Sequence, residues 1–273
     1  MAPAWAQSRV QVLYAGSLVA LMEHSLGLAF DRATGFHFEG YAGGSNALAQ
    51  QIKGKLRPAD VFISADPKVN ALLMGKQNGN WLDGFVRFAR SPLVIGYNPA
   101  SRFAQDFRAR PWLQVLEEPG LRIGRTDPRL DPKGRLTLTL LARAAVAYHQ
   151  PKLVARIFGA PENPAQVLPE EELIGRLQSG QIDAGFFYSL ETAEAHIPSI
   201  ALPAAIAPHA TYTLAILNRA PHEKAAQAFV RFLLGPKGRQ ILTHNGLELI
   251  QPRHQDMEGR PSRPQAGMGV HAP

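Results

Sequence analysis

Two serines stand directly after glycine at points where an apolar run gives way to a helical pattern: Ala15-Gly16-Ser17-Leu18 and Gly43-Gly44-Ser45-Asn46. The first turn of a helix leaves backbone N–H groups without intrahelical partners and carries the positive end of the helix dipole. Such a turn is suited to hold an anion. A serine there adds a hydroxyl donor, and glycines such as Gly16 and Gly44 let the backbone approach a ligand closely. The same serines also fit the plainer role of helix N-caps. A third turn of this kind, at Ser64 and Asp66, reads as a cap and a carboxylate on the helix dipole.

Little else in the chain signals chemistry. It has no cysteine, which excludes disulfides, thiolate metal sites and cysteine nucleophiles. Its nine histidines show no His-Glu-x-x-His or other close metal spacing. No Gly-x-Ser-x-Gly elbow and no Walker loop occurs. The formal charge is +7, but the basic residues are scattered. The densest stretches, 102–110 and 122–135, are not lysine/arginine blocks, so the charge suits an anionic ligand better than nucleic acid. These observations favour a binding protein over an enzyme.

The serines must be positioned by the elements around them. Residues 10–15 read as a strand, 18–33 as a helix stopped by Gly35, 36–41 as a strand, and 46–53 as a helix. Residues 60–64 and 66–74 repeat the pair. Three strand–turn–helix units in succession imply an α/β fold with a mainly parallel sheet. Neighbouring parallel strands would bring their turns to one carboxyl edge, where two can converge on a small anion. Further on, strands are expected at 90–97, 121–124, 182–188 and 212–217, and an extended segment at 199–207. Residues 126–134 read as a Pro/Gly/Asp loop, and 136–149, 170–178, 222–234 and 237–245 as helices. No apolar run reaches the ~18 residues of a membrane span. Ala4-Trp5-Ala6 has the small-x-small form of a signal-peptidase site, so residues 1–7 read as a leader remnant or tag. Residues 252–273, rich in Pro, Gly, Arg and Gln, read as a disordered tail.

The order of these segments carries a resemblance. Gly16-Ser17-Leu18, then Gly44-Ser45 with Ala47-Leu48-Ala49-Gln50-Gln51-Ile52, then Ala59-Asp60-Val61-Phe62-Ile63-Ser64-Ala65-Asp66 resembles the N-terminal signature of molybdate/tungstate-binding proteins. Thr126-Asp127-Pro128 through Asp131-Pro132-Lys133-Gly134 is similar to the Asp-Pro loop of the tungstate/molybdate branch of type II solute-binding proteins. Ile182 through Ser189, Ala193 through His196, and Leu202-Pro203 are similar to that branch's next landmark.

The resemblance implies a two-lobed type II periplasmic-binding-protein fold with two crossover hinges, near residues 90–93 and 207–211. Lobe I would be 8–92 plus 209–251, and lobe II 93–208. It implies a monomeric periplasmic receptor that hands molybdate or tungstate to the membrane permease of an ABC importer. Ser17 and Ser45, with Gly16 and Gly44, would donate from lobe I. The loop at Asp131 and Gly134 and the hydroxyl of Tyr188 would complete the cage from lobe II. Arg125 and Arg135 are candidates for further anion contacts, or solvated surface charges. No cofactor and no free metal cation are implied; the metal is the centre of the oxyanion, reached through Ser17 and Ser45. One position departs from the branch pattern: a glutamate that stands before the tyrosine is here Phe187. Binding through two carboxylates is therefore not expected, and a hydrogen-bonded tetrahedral anion is. Asp131 would repel a dianion unless it turns away to cap Gly134 or Arg135, or is offset by Arg125, Lys133 or Arg135. Sulfate, phosphate or a different ligand, and a stand-alone cytoplasmic sensor, stay as alternatives.

Overall fold

Strands β1 (Arg9–Ala15), β2 (His37–Gly43) and β3 (Val61–Ser64) are parallel and lie in the order β2-β1-β3. This computed structural model describes residues 9–250. The leader remnant and tail expected at 1–7 and 252–273 lie outside the described residues. Val61-Phe62-Ile63-Ser64 is buried throughout, as befits a parallel strand covered on both faces. Ala15 pairs with Gly43 and Tyr14 with Ile63, so the three strands end level on one edge. Strand β8 (His209–Ile216) extends the sheet antiparallel to β3, with Thr213 opposite Ser64. The residues at its start therefore reach the same edge.

Strand β4 (Val86–Tyr97) is the longest, and it changes partners midway. Residues up to Pro92 pair with β8; Leu93 to Tyr97 pair with β6 (Ala184–Tyr188). Pro92 has no N–H to offer, and the N–H of Leu93 donates to the carbonyl of Pro208. Strand β5 (Ile123–Gly124) runs parallel to β6, while β7 (Ser199–Ala201) and β9 (Glu248–Leu249) pair with β4. The pairing is thus mixed. All its antiparallel ladders use β4 or β8, the strands that pass between the two halves of the sheet.

After β1 the chain takes a 3-10 turn (Gly16–Leu18), α1 (Val19–Leu21), a π turn (Met22–Leu26) and α2 (Gly27–Thr34). Gly35 then ends the helix in the left-handed region at φ 74°. The single helix expected over 18–33 is therefore continuous in path but changes hydrogen-bond register three times. Helices α3 (Ser45–Lys53) and α4 (Pro67–Ala71) follow their strands. In the second half lie α5 (Ala104–Ala109), α6 (Trp112–Leu116), α7 (Pro132–Ala147), α8 (Leu153–Phe158), α9 (Leu173–Gln178) and α10 (Ser189–Glu194). Helices α11 (Glu223–Leu234) and α12 (Pro236–His244) return to the first half.

One boundary matters for the site. Helix α7 starts at Pro132, so Pro132, Lys133 and Gly134 form its first turn and are not loop. Asp131 is its N-cap, accepting from the N–H of Lys133, and proline suits the first helical position because its missing N–H would have no partner there.

Candidate functional site

The level ends of β1, β2 and β3 place Gly16-Ser17, Gly44-Ser45 and Ser64 side by side. Ser17 and Ser45 are both buried. Ser17 Oγ lies 2.9 Å from Tyr212 Oη on β8. Ser45 Oγ accepts from the N–H of Ala65 at 3.1 Å, which leaves its hydroxyl hydrogen to donate elsewhere. Ser64 and Asp66 bond to each other, and Asp66 caps α4 through the N–H of Lys68. Their structural reading is the one the structure shows.

The second half of the molecule meets this edge directly. The first-turn amides of Asn46 and Ala47 both donate to the carbonyl of Leu130, at 3.0 and 3.1 Å. Asn46 Nδ2 donates to the carbonyl of Arg129. Two of α3's exposed donors are thus engaged by the opposite half, a use the Gly-Ser pattern does not foretell. Asp131 faces Gly44: a Cβ on that glycine would sit 2.8 Å from the Leu130 oxygen and 3.3 Å from Asp131 Cβ.

Behind Asp131 lies a buried charged cluster. Lys133 Nζ is 2.9 Å from Glu170 and 2.7 Å from Glu191. Glu191 also accepts from the N–H of Tyr188 at 2.7 Å, within the first turn of α10. Asp131 Oδ1 accepts from Thr126 Oγ1 and the N–H of Lys133. The rings of Tyr188 and Tyr212 meet edge-on at 6.2 Å, which joins the cluster to Ser17. Among the described residues, Tyr188 Oη and Glu170 Oε2 are buried without a hydrogen-bond partner.

Burial raises the pKa of Asp131, Glu170 and Glu191, with Lys133 opposing. For Lys133 burial works downward, but Glu170, Glu191 and Asp131 outweigh it, and its pKa is raised. Burial also raises both tyrosines, so they stay neutral donors.

Several sequence expectations need correcting. The guanidinium of Arg125 is buried and donates to the carbonyls of Pro161 and Ala160 and to Gln166 Oε1. It ties down a loop of the second half. Arg135 reaches across to Asp66 at 2.8 Å, one-third exposed. Gly134 packs against the 126–128 segment: a Cβ would meet the Thr126 oxygen at 2.5 Å. Phe187 packs in an apolar cluster with Val94, Leu173, Leu177, Ile182 and Ile197, and its ring also faces the Lys133 ammonium at 5.6 Å. The carboxylates of the polar cluster come from Glu170 and Glu191 on other elements. Neither was singled out from sequence. Glu191, three residues after Tyr188, carries the faint signal of a capping pattern; Glu170, in a run of three glutamates, carries none.

The sequence profile of a family described as bacterial extracellular solute-binding protein matches residues 10–248. A Haloferax volcanii protein named as an ABC transporter molybdenum-binding protein is 34% identical over 198 residues, 72% of this chain and 60% of its own length. The molybdate/tungstate-binding protein WtpA of Thermococcus kodakarensis is 25% identical over 262 residues, covering 79% of this chain and 73% of that protein. Among solved structures, the periplasmic molybdate-binding protein of Azotobacter vinelandii superposes with a TM-score of 0.67 at 23% identity, over 89% of this chain and all of that one. The fold is that of the type II periplasmic binding proteins.

Proposed function

Because the chain belongs to the bacterial extracellular solute-binding proteins, we propose that it is the receptor of an ABC importer and binds molybdate or tungstate between two lobes. The family consists of binding receptors, not enzymes. The observation that carries the reading is the meeting of the Ser17 and Ser45 turns with Asp131, Lys133 and Tyr188 across the two sheet halves. The names of the relatives in Haloferax and Thermococcus support the ligand class. Among the described residues the lobes are 9–92 plus 209–250 and 93–208, hinged where β4 changes partner and where β8 begins. Closure about such a hinge would trap the ligand.

In this reading Ser17 and Ser45 donate their hydroxyls to the anion, and the unpartnered hydroxyl of Tyr188 donates from the other lobe. Gly16 and Gly44 keep the approach open. Asp131 is turned into α7 by Thr126 and Lys133, which draws its charge away from the ligand. The receptor works as a monomer outside the cytoplasmic membrane, delivers to a permease and needs no nucleic acid or cofactor. No helix among the described residues is long and apolar enough to cross a membrane.

Titration calorimetry with tungstate, molybdate, sulfate and phosphate tests the proposal. Sub-micromolar binding of the first two, with sulfate weak, is expected, and ligand should raise the melting temperature by mass action. Ser17→Ala and Ser45→Ala should each lose roughly 1.5–3 kcal/mol of binding, the range for hydrogen bonds to a charged group. Normal affinity in the double variant would remove these serines from the site.

A further inference from the structure

The buried cluster sets three carboxylates, Asp131, Glu170 and Glu191, around one ammonium, Lys133. Two of the three are well provided with donors. Asp131 has the Thr126 hydroxyl and the N–H of Lys133. Glu191 has the Lys133 ammonium on one oxygen and the N–H of Tyr188 on the other. Glu170 has only the shared ammonium on Oε1, and nothing on Oε2 among the described residues.

Its place is as telling as its partners. Glu170 opens the 3-10 turn Glu170–Glu172 in the second half, and its side chain is 2% exposed. A Cβ on Gly16 would fall 2.4 Å from Glu170 Cγ, so the glutamate lies directly against the turn that carries Ser17. An oxyanion brought to Ser17 would meet this side chain. A dianion beside an ionised carboxylate is repelled; beside a protonated one it gains an O–H donor.

We propose that Glu170 is a specificity-determining residue of the anion site, its carboxyl group contacting the bound oxyanion and carrying a proton in the complex. The inference rests on the oxyanion reading above. The proton comes from solution to Glu170 Oε2, which then donates to the anion; no bond of the ligand breaks. The groups facing Glu170 are Lys133 and Asp131 from α7, Glu191 from α10, Tyr188 from β6, Tyr212 from β8 and Ser17 after β1. Glu171 and Glu172 of the same turn are exposed, Arg135, paired with Asp66, acts on Asp131, and Glu194 lies beyond Glu191. Burial pushes Glu170 well above the usual carboxylate range; Lys133 pulls it down, and Asp131 and Glu191 push it up further. A bound dianion beside Glu170 raises it further, so capture takes up a proton wherever Glu170 is ionised in the free protein and is favoured on the acid side of the proton's midpoint in the complex.

The test is calorimetry of the full chain with molybdate between pH 6 and 8.5, in two buffers of different ionisation enthalpy. About one proton should be taken up per anion, and Kd should rise toward about tenfold per pH unit on the alkaline side, the slope of a one-proton linkage. Glu170→Gln, which copies the shape and donor of the neutral acid, should flatten that slope and bind about tenfold or more tighter than the parent protein at pH 8.5. A flat profile with no proton uptake in the parent protein overturns the proposal. So does a Glu170→Gln variant, folded by its melting curve, that keeps the parental slope. The proton count in the parent protein needs no variant. No binding of molybdate, tungstate, sulfate or phosphate at any of these pH values would instead remove the oxyanion reading, and this inference with it.

Discussion

Lys133 shows how a surface residue type can become a core one. It is fully buried, with Glu170 and Glu191 on its ammonium and the faces of Tyr188 and Phe187 at 5.3 and 5.6 Å. Removing one partner of a buried ion pair is far costlier than the pair is stabilising, because the other charges are left uncompensated. Lys133→Met should lower stability by about 3–5 kcal/mol at pH 8. The loss should shrink toward pH 5. Without the ammonium, Glu170 and Glu191 have folded-state pKa values further above their unfolded ones. A raised carboxyl contributes stability that is present at low pH and lost as pH rises through the folded value. Urea denaturation at the two pH values reads the difference, and an equal loss at both would mean that the carboxylates are screened by something other than Lys133. The sequence pointed to the serines through type and spacing, and to Tyr188 through the family resemblance. It could not point to Glu170, which is brought to Gly16 only by tertiary packing.

At the scale of elements, local rules were legible where an element is long and regular. The strand–glycine–serine–helix units are visible because their apolar runs and breakers are contiguous, and β1 and α3 lie within a residue or two of expectation. The short helices α5, α6, α8 and α10 were not, since one or two turns leave too little periodicity to read. The start of α7 was hidden for a different reason: Asp-Pro-Lys-Gly reads as a turn, while the N-cap and Pro at the first position make it a helix start. Gly134 is tied to this. Alanine is the better helix former, by about 1 kcal/mol in an exposed site. Here its Cβ would meet the Thr126 oxygen at 2.5 Å and the Pro128 nitrogen at 2.7 Å, both main chain. Gly134→Ala is therefore expected to lose roughly 1–3 kcal/mol, the range for overpacking, despite the gain in propensity. Chemical denaturation settles the sign; a stabilised variant would mean that the 126–128 segment yields easily.

For the molecule as a whole, the fold class followed from alternation, but the seam between the halves did not, because cross-seam contacts have no sequence period. Arg135–Asp66, Asn46–Arg129 and the two amides on the Leu130 carbonyl all cross it. Gly44 lies at its centre. Its φ of −60° and ψ of 128° are ordinary for any residue, so Gly44→Ala carries no backbone strain. The added methyl would instead press on Leu130 and Asp131, atoms of the opposite half. If the halves are lobes that part and close, the substitution penalises only the closed arrangement. Apparent affinity then falls in proportion to the closed fraction, with the fold of each lobe intact. Gly44→Ala should weaken oxyanion binding about tenfold for each ~1.4 kcal/mol the contact costs. The melting temperature without ligand should stay within about 2–4 °C, the shift that ~1 kcal/mol brings in a chain of this size. Calorimetry and melting curves on the same samples separate the effects. A melting temperature that falls as steeply as affinity would show that Gly44 and Leu130 belong to one fixed core, and that the seam does not open.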